Sequence, residues 1–152
     1  MPTPTLRIDP YNGFNFSVEI DGLTRAGFRT CSGLDSTTAT TAYREGTDVT
    51  LVARALPGLT TFGHITLTRG ITNDRALWNW RADIVAGADI SRARKNVSII
   101  LLDNTGAEKI RWNLSNSWPA RWTGPSFDAT SDGVAIETLE LAHEGIEVQQ
   151  WS

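Results

Sequence analysis

The feature that most limits this chain is alternation: apolar and polar residues trade places in short runs, and turn residues separate the runs. In GFNFSVEIDG, Phe14, Phe16, Val18 and Ile20 fall on one side of an extended chain, with Asn15, Ser17, Glu19 and Asp21 on the other. A period of two marks a half-buried strand, closed here by an Asp-Gly turn. HITLTRGI repeats the pattern, with Ile65 and Leu67 facing in. LTRAGFRTCSGL reads as another strand, kinked at Gly27. NVSIILLDNTG is a strongly apolar strand ending in a turn. The segment after it sets Ile110, Trp112 and Leu114 against Lys109, Arg111 and Asn113 until Pro119, which bars a central sheet position at that point. In GVAIETLELAHEGIEV the apolar phase slips between Ile136 and Leu139, which predicts a bulge or a change of burial partner, and Gly145 predicts a break.

The period changes once. TNDRALWNWRADIVAG places Leu77, Trp80, Ile84 and Val85 at helical spacing, with Trp78 alongside. Thr72, Asn73 or Asp74 can cap the start and Gly87 the end, so a single helix is expected over about 74–86. Residues 35–55 are rich in Ser and Thr around Glu45-Gly46. They predict a long projecting hairpin, followed by a Pro57-Gly58 turn. Six to eight strands and one helix imply a mainly β fold. A rolled β-barrel or sandwich with one flanking α-helix fits best.

The 152 residues favour a single domain, 1–152, without a repeat or linker. Hydrophobic residues make up 40% and charged residues 20%, which supports a packed core and excludes disorder. The net charge is −3 and the basic residues are scattered, against a nucleic-acid binder. The proline-rich stretch Met1–Pro10 reads as an extended arm, without the apolar core of a secretory signal. No run approaches the ~20 apolar residues that span a bilayer. Synthesis in the cytoplasm, without signal peptide or membrane anchor, is expected.

Candidate chemistry is sparse. His64 and His143 are the only histidines, and no HxH, HExxH or Cys/His set accompanies them. Cys31, the only cysteine, lies in TCSGL, which matches no nucleophile elbow and reads as a small buried hydrophobe. Glu137 and Glu140 fall on opposite faces of a strand and cannot flank one substrate bond. Glu137 shares the inward phase of Leu139 and Leu141, which calls for an arginine partner. Phosphate-cradling glycine motifs are absent. Catalytic, cofactor and metal sites are therefore all expected to be none. Of the six tryptophans, Trp80 and Trp112 suit the core, whereas Trp118, Trp122 and Trp151 suit an interface. A carbohydrate platform and a small cysteine hydrolase are the rival readings.

The ordered set SGL, YREG, LPG, LTRGI, LWNW and LAHEG, spread over about Pro10 to Glu147, resembles the inner tube proteins of contractile injection machines. These include contractile phage tail tubes, tubes of phage-tail-like extracellular injection systems and the type VI secretion tube protein. The resemblance implies a rolled barrel assembled as hexameric rings that stack into a tube, and no catalysis. The implied partners are further copies of the chain, a sheath, baseplate, spike and tube-terminating proteins, and an effector or DNA cargo in the lumen. Assembly into a phage tail or injection particle follows. Tyr43, Arg44, Glu45 and Gly46 match the hairpin that reaches the adjacent ring. Together with Arg69, Trp118 and Trp122 they are the expected interface residues. Arg69 is expected either to anchor the turn into the helix or to pair with a neighbour's acid. A tube-initiating or baseplate-proximal paralogue of the same fold is the alternative.

Overall fold

A computed structural model describes residues 7–21, 27–87 and 89–151. The chain is mainly β. The first strand, β1 (Phe16–Ile20), buries Val18 and Ile20, as the alternation requires. Next come β2 (Thr30–Ser32), β3 (Ser36–Tyr43), β4 (Arg54–Phe62) and β5 (Ile65–Gly70). Helices α1 (Ala76–Val85) and α2 (Ile90–Ala93) follow, and then β6 (Lys95–Leu102), β7 (Glu108–Thr123), β8 (Ile136–Ala142) and β9 (Ile146–Trp151).

Seven strands form one antiparallel sheet in the order β1-β6-β7-β8-β5-β2, and β9 also pairs with β7. The long β7 turns the sheet. Its first half lies between β6 and β9, and its second half pairs with β8. Val18, Ile65, Leu67, Val97, Leu114, Leu139 and Leu141 meet in the fold so made, each at most 1% exposed. Leu77 and Trp80 of α1 close one side of this core.

Several expectations need correction. The sheet does not close into a barrel among the described residues. β1 and β2 are its two ends and do not pair with each other. The expected single helix over 74–86 is α1, within two residues at each end, but Val85 is 71% exposed. A second helical turn, α2, was not expected. It is held by Asp89, which accepts from the Ser91 backbone, and four residues are too few to show a period.

The projecting hairpin is β3 and β4 and runs to Phe62, beyond the expected 35–55. Pro57 and Gly58 lie inside β4, at a register shift opposite Ala39, and make no turn. Proline lacks the N–H a central strand needs, so it suits this bulged two-strand ribbon. Of the bulge or change of burial partner expected between Ile136 and Leu139, the bulge is absent: β8 keeps one register along β5 from Ile136 to Leu141, and Glu137 rather than Ile136 shares the buried phase of Leu139 and Leu141. The break at Gly145 is present, between β8 and β9. Pro119 behaves as expected: β7 there pairs with β8 alone, beside a register shift. The second strand shrinks to β2, and Gly27 lies outside it. The first part of that strand, the Gly22 turn position and the first six residues of the proline-rich arm lie outside the described residues.

Candidate assembly interface

The hairpin is a ribbon without a core of its own. Every residue of β3 is exposed, and β4 is exposed up to Phe62. The β-branched Thr residues, with good strand propensity, favour the extended chain, and Thr38 and Thr60 bond across it at 2.9 Å. Its base is pinned twice. Asp35 accepts from the Gly63 backbone at 2.8 Å, and His143 packs its ring 5.6 Å from that of Phe62. The two ring nitrogens of His143 lie 3.0 Å from the Gly63 carbonyl and 3.2 Å from the Gly145 carbonyl. His143 therefore ties the hairpin base to the β8–β9 break.

The tip is ordered by Asp48 and Arg44. Arg44 donates to the Thr50 and Asp48 carbonyls at 2.9 and 3.0 Å, while Asp48 accepts from the Glu45 backbone and from Arg54. Tyr43 and Glu45 make only a long 3.5 Å contact. Tyr43, Arg44, Glu45 and Gly46 thus come together on the exposed tip, with Arg44 folding the loop. Beside them stand Val49, Leu51 and Val52, at 99, 91 and 76% exposure, and further down the ribbon Leu59 at 82%. Large apolar side chains left in water in this number on one arm point to an interaction surface. Sequence reasoning passed over these four residues. The available signal was an apolar Val-x-Leu-Val run beside a polar turn.

Arg69 lies elsewhere. It continues the inward phase of Ile65 and Leu67 and is 5% exposed. Its Nε donates to Glu137 at 2.5 Å, and its other nitrogens donate to the Asp74 carboxylate and carbonyl. Glu137 also accepts from the Trp122 indole at 3.1 Å, so the expected arginine partner is present and joined by a tryptophan. Asp74 in turn accepts from the Ala76 backbone at the start of α1. That bond, followed by the Arg69 guanidinium, holds the Asp74 carboxyl below its ordinary range. Arg69 therefore serves the first of its two expected roles, anchoring the turn into the helix from within the subunit.

Trp118 is half-buried in β7 opposite Ala142. Trp122 is half-buried and meets Trp78 of α1 edge-on at 4.7 Å. Trp78 and Trp122 wall a shallow groove of about 290 Å³ with Arg81 and Val85. The structure thus brings Arg69 and Trp122 together and keeps the hairpin tip separate from them. Trp80 is buried and donates to the Ala93 carbonyl at 2.6 Å, joining α1 to α2.

The Cys31 thiol packs against the core, and burial pushes it up to about 11. A thiol so held is a poor nucleophile at neutral pH. Among the described residues no cluster of three or more His, Cys, Asp or Glu is arranged to hold a metal ion, and no helix is long and apolar enough to cross a membrane.

Among the described residues, then, an exposed ribbon with an apolar tip projects from a sheet whose ends β1 and β2 have no further strand partner, features that favour association with another molecule. No curated protein matches the chain in sequence. Among solved structures, it is similar to a chain of the anti-feeding prophage cap, described as a tube-terminating cap, with 27% identity, TM-score 0.84, and 97% of this chain and 96% of that one covered. It is similar to a chain of the sheath-tube complex, in the extended state, of the extracellular contractile injection system PVC, with 28% identity, TM-score 0.79, and coverage of 93% and 92%. Hcp1 from Flavobacterium johnsoniae shares the fold at 15% identity and TM-score 0.58, with coverage of 90% and 95%. The family model described as T4-like virus tail tube protein gp19 matches residues 12–147. The chain belongs to that tail tube family, a structural family and not an enzymatic one.

Proposed function

We propose that the protein is the repeating subunit of the inner tube of a contractile injection system, stacked as hexameric rings inside a sheath and mounted on a baseplate and spike. The observation that carries this reading is the projecting ribbon. Val49, Leu51 and Val52 stand almost fully in water on an arm that has no core. An isolated two-stranded hairpin is marginal in water, so such an arm makes physical sense when another molecule covers it. Tyr43, Arg44, Glu45 and Gly46 shape its tip for contact between rings. Trp118 and Trp122 lie near a second, aromatic face suited to a neighbour in the particle. The lumen would carry an effector or DNA. The likeness to a chain of a sheath-tube complex supports the reading.

A second reading has its own observation. Chains of the anti-feeding prophage cap and baseplate are similar at comparable identity, 27% and 25%. A subunit that starts or ends the tube would share this fold and differ on one ring face. Electron microscopy of the purified protein, alone and co-expressed with sheath and baseplate proteins, separates the two. Long hollow tubes support the repeating subunit. Single rings that never elongate, even with the partners present, refute it in favour of the end-of-tube role.

A further inference from the structure

Asn12 is the one asparagine in the sequence that glycine follows. The pair lies just before β1, and both residues are exposed. Asparagine is chemically labile. It becomes aspartate without an enzyme when the backbone nitrogen of the next residue reaches its side-chain carbonyl carbon. A bulky following side chain, a hydrogen bond that occupies that nitrogen, or a regular element that fixes the backbone each slows the attack. Here Gly13 brings no side chain and leaves the backbone free to turn. Its amide has no hydrogen-bond acceptor among the described residues, and neither residue belongs to a strand or helix. The related Asp132–Gly133 pair differs, because the Gly133 amide donates to the Ser131 hydroxyl at 3.2 Å.

The Asn12 side chain is also a clasp. Its Nδ2 donates to Asn104 Oδ1 at 3.1 Å, and Asn15 Nδ2 donates to the same oxygen at 3.4 Å. These bonds tie the turn before β1 to the turn between β6 and β7, which Asp103 folds by accepting from Thr105 and Ala107. We propose that Asn12 is a site of spontaneous deamidation and that the reaction opens this clasp. The Gly13 nitrogen bonds to Asn12 Cγ, the Cγ–Nδ2 bond breaks, and ammonia leaves carrying the amide proton. Water then opens the cyclic imide to aspartate or isoaspartate. The product carboxylate cannot donate, so the bond to Asn104 Oδ1 is lost unless Asn104 and Asn15 both turn their amides over. The isoaspartate product also adds a carbon to the main chain and shifts Asn15 against Asn104. The new charge enters a hollow of about 320 Å³ lined by Asp9 and Asp103, whose carboxylates already pair with Arg7 and Lys109. This chemistry belongs to the subunit alone and holds whichever place the protein takes in a tube.

Peptide mapping by mass spectrometry tests the site, after the folded protein has stood at mildly alkaline pH. Trypsin releases residues 8–25 as one peptide, so Asn12 and Asn15 are compared in the same molecule. Asn12 is expected to show the mass gain of deamidation many-fold faster than Asn15, with isoaspartate detectable by isoaspartyl methyltransferase. Gly13→Ala is expected to slow it several-fold without disturbing the fold, since an added Cβ there meets no atom within 4 Å. Hydrogen exchange tests the clasp. In Asn12→Asp, and in the aged protein, the amides of residues 103–107 are expected to exchange several-fold faster than in fresh protein, while those of β8 stay unchanged. Rapid reaction of Asn12 in urea but not in the folded protein overturns the site, because the fold then protects it. Deamidation with unchanged exchange at 103–107 overturns the clasp.

Discussion

Replacing Arg69 with Met tests the central claim about the inner network. Arg69 and Glu137 face each other in the register of β5 and β8 and are 5% and 6% exposed. Removing the guanidinium strands a buried carboxylate, which costs about 3–5 kcal/mol in comparable pairs. The lower end applies here. Glu137 keeps its bond from Trp122, and Asp74 is open enough to be solvated. A loss of about 3 kcal/mol lowers the melting temperature of a domain this size by roughly 6–12 °C. Urea unfolding of the dilute subunit, followed by tryptophan fluorescence, reads the loss directly. The double variant Arg69→Met/Glu137→Leu removes both charges and should recover most of it, because a well-packed apolar pair replaces a buried ion pair at little cost. A single-variant loss below about 1 kcal/mol, or a double variant as unstable as the sum of the singles, refutes this account of the network.

Other expectations follow from the same geometry. Gly33→Ala should cost about 2 kcal/mol or more by urea unfolding, since Gly33 has φ +101° and an added Cβ would lie 2.0 Å from the His64 carbonyl oxygen. Cys31 should react with iodoacetamide about a hundredfold more slowly in the folded protein than in urea at pH 8, because a rise from 9.0 to about 11 cuts the thiolate fraction by that factor. Cys31→Ala should leave assembly intact. Donors from Thr105 first and then Ala107 hold the Asp103 carboxyl below its ordinary range, and donors from Ser91 do the same for Asp89. A depressed carboxyl stabilises the fold above its unfolded value and loses that contribution as pH falls through the folded one. Melting temperature should therefore drop below about pH 4, and less steeply in Asp103→Asn. Trp80→Phe removes the indole bond to Ala93 and should cost about 1–2 kcal/mol, read by the same urea titration.

The parts of the fold that face both core and water were legible in the sequence. Ile65 and Leu67, Leu139 and Leu141, and Val18 and Ile20 alternate because each strand has one wet side and one dry side. The same phase exposed Glu137 as an acid pointing inward and implied its arginine. The hairpin's limits were not legible, because both its faces are wet and no alternation records where it ends. Pro57-Gly58 has the composition of a turn, and only the register shift between Thr38 and Thr40 across from it marks a bulge. Whether a curved sheet closes depends on which edges meet, which side-chain pattern does not encode. The proposed contact surface was half legible. Tyr43 to Gly46 stood out through resemblance, while Val49, Leu51 and Val52 fell inside the expected hairpin without being singled out, since apolar side chains are read as buried until a structure shows them in water.

The bare ribbon also has a thermal consequence. Covering apolar side chains lowers heat capacity, and near and below room temperature that kind of contact draws its strength from entropy. An assembly joined through Val49, Leu51 and Val52 therefore loosens on cooling and tightens on warming, until the subunit itself begins to melt. Light scattering through repeated cold and warm steps would show growth and shedding in phase with temperature. Chilled stocks would hold the shortest polymers.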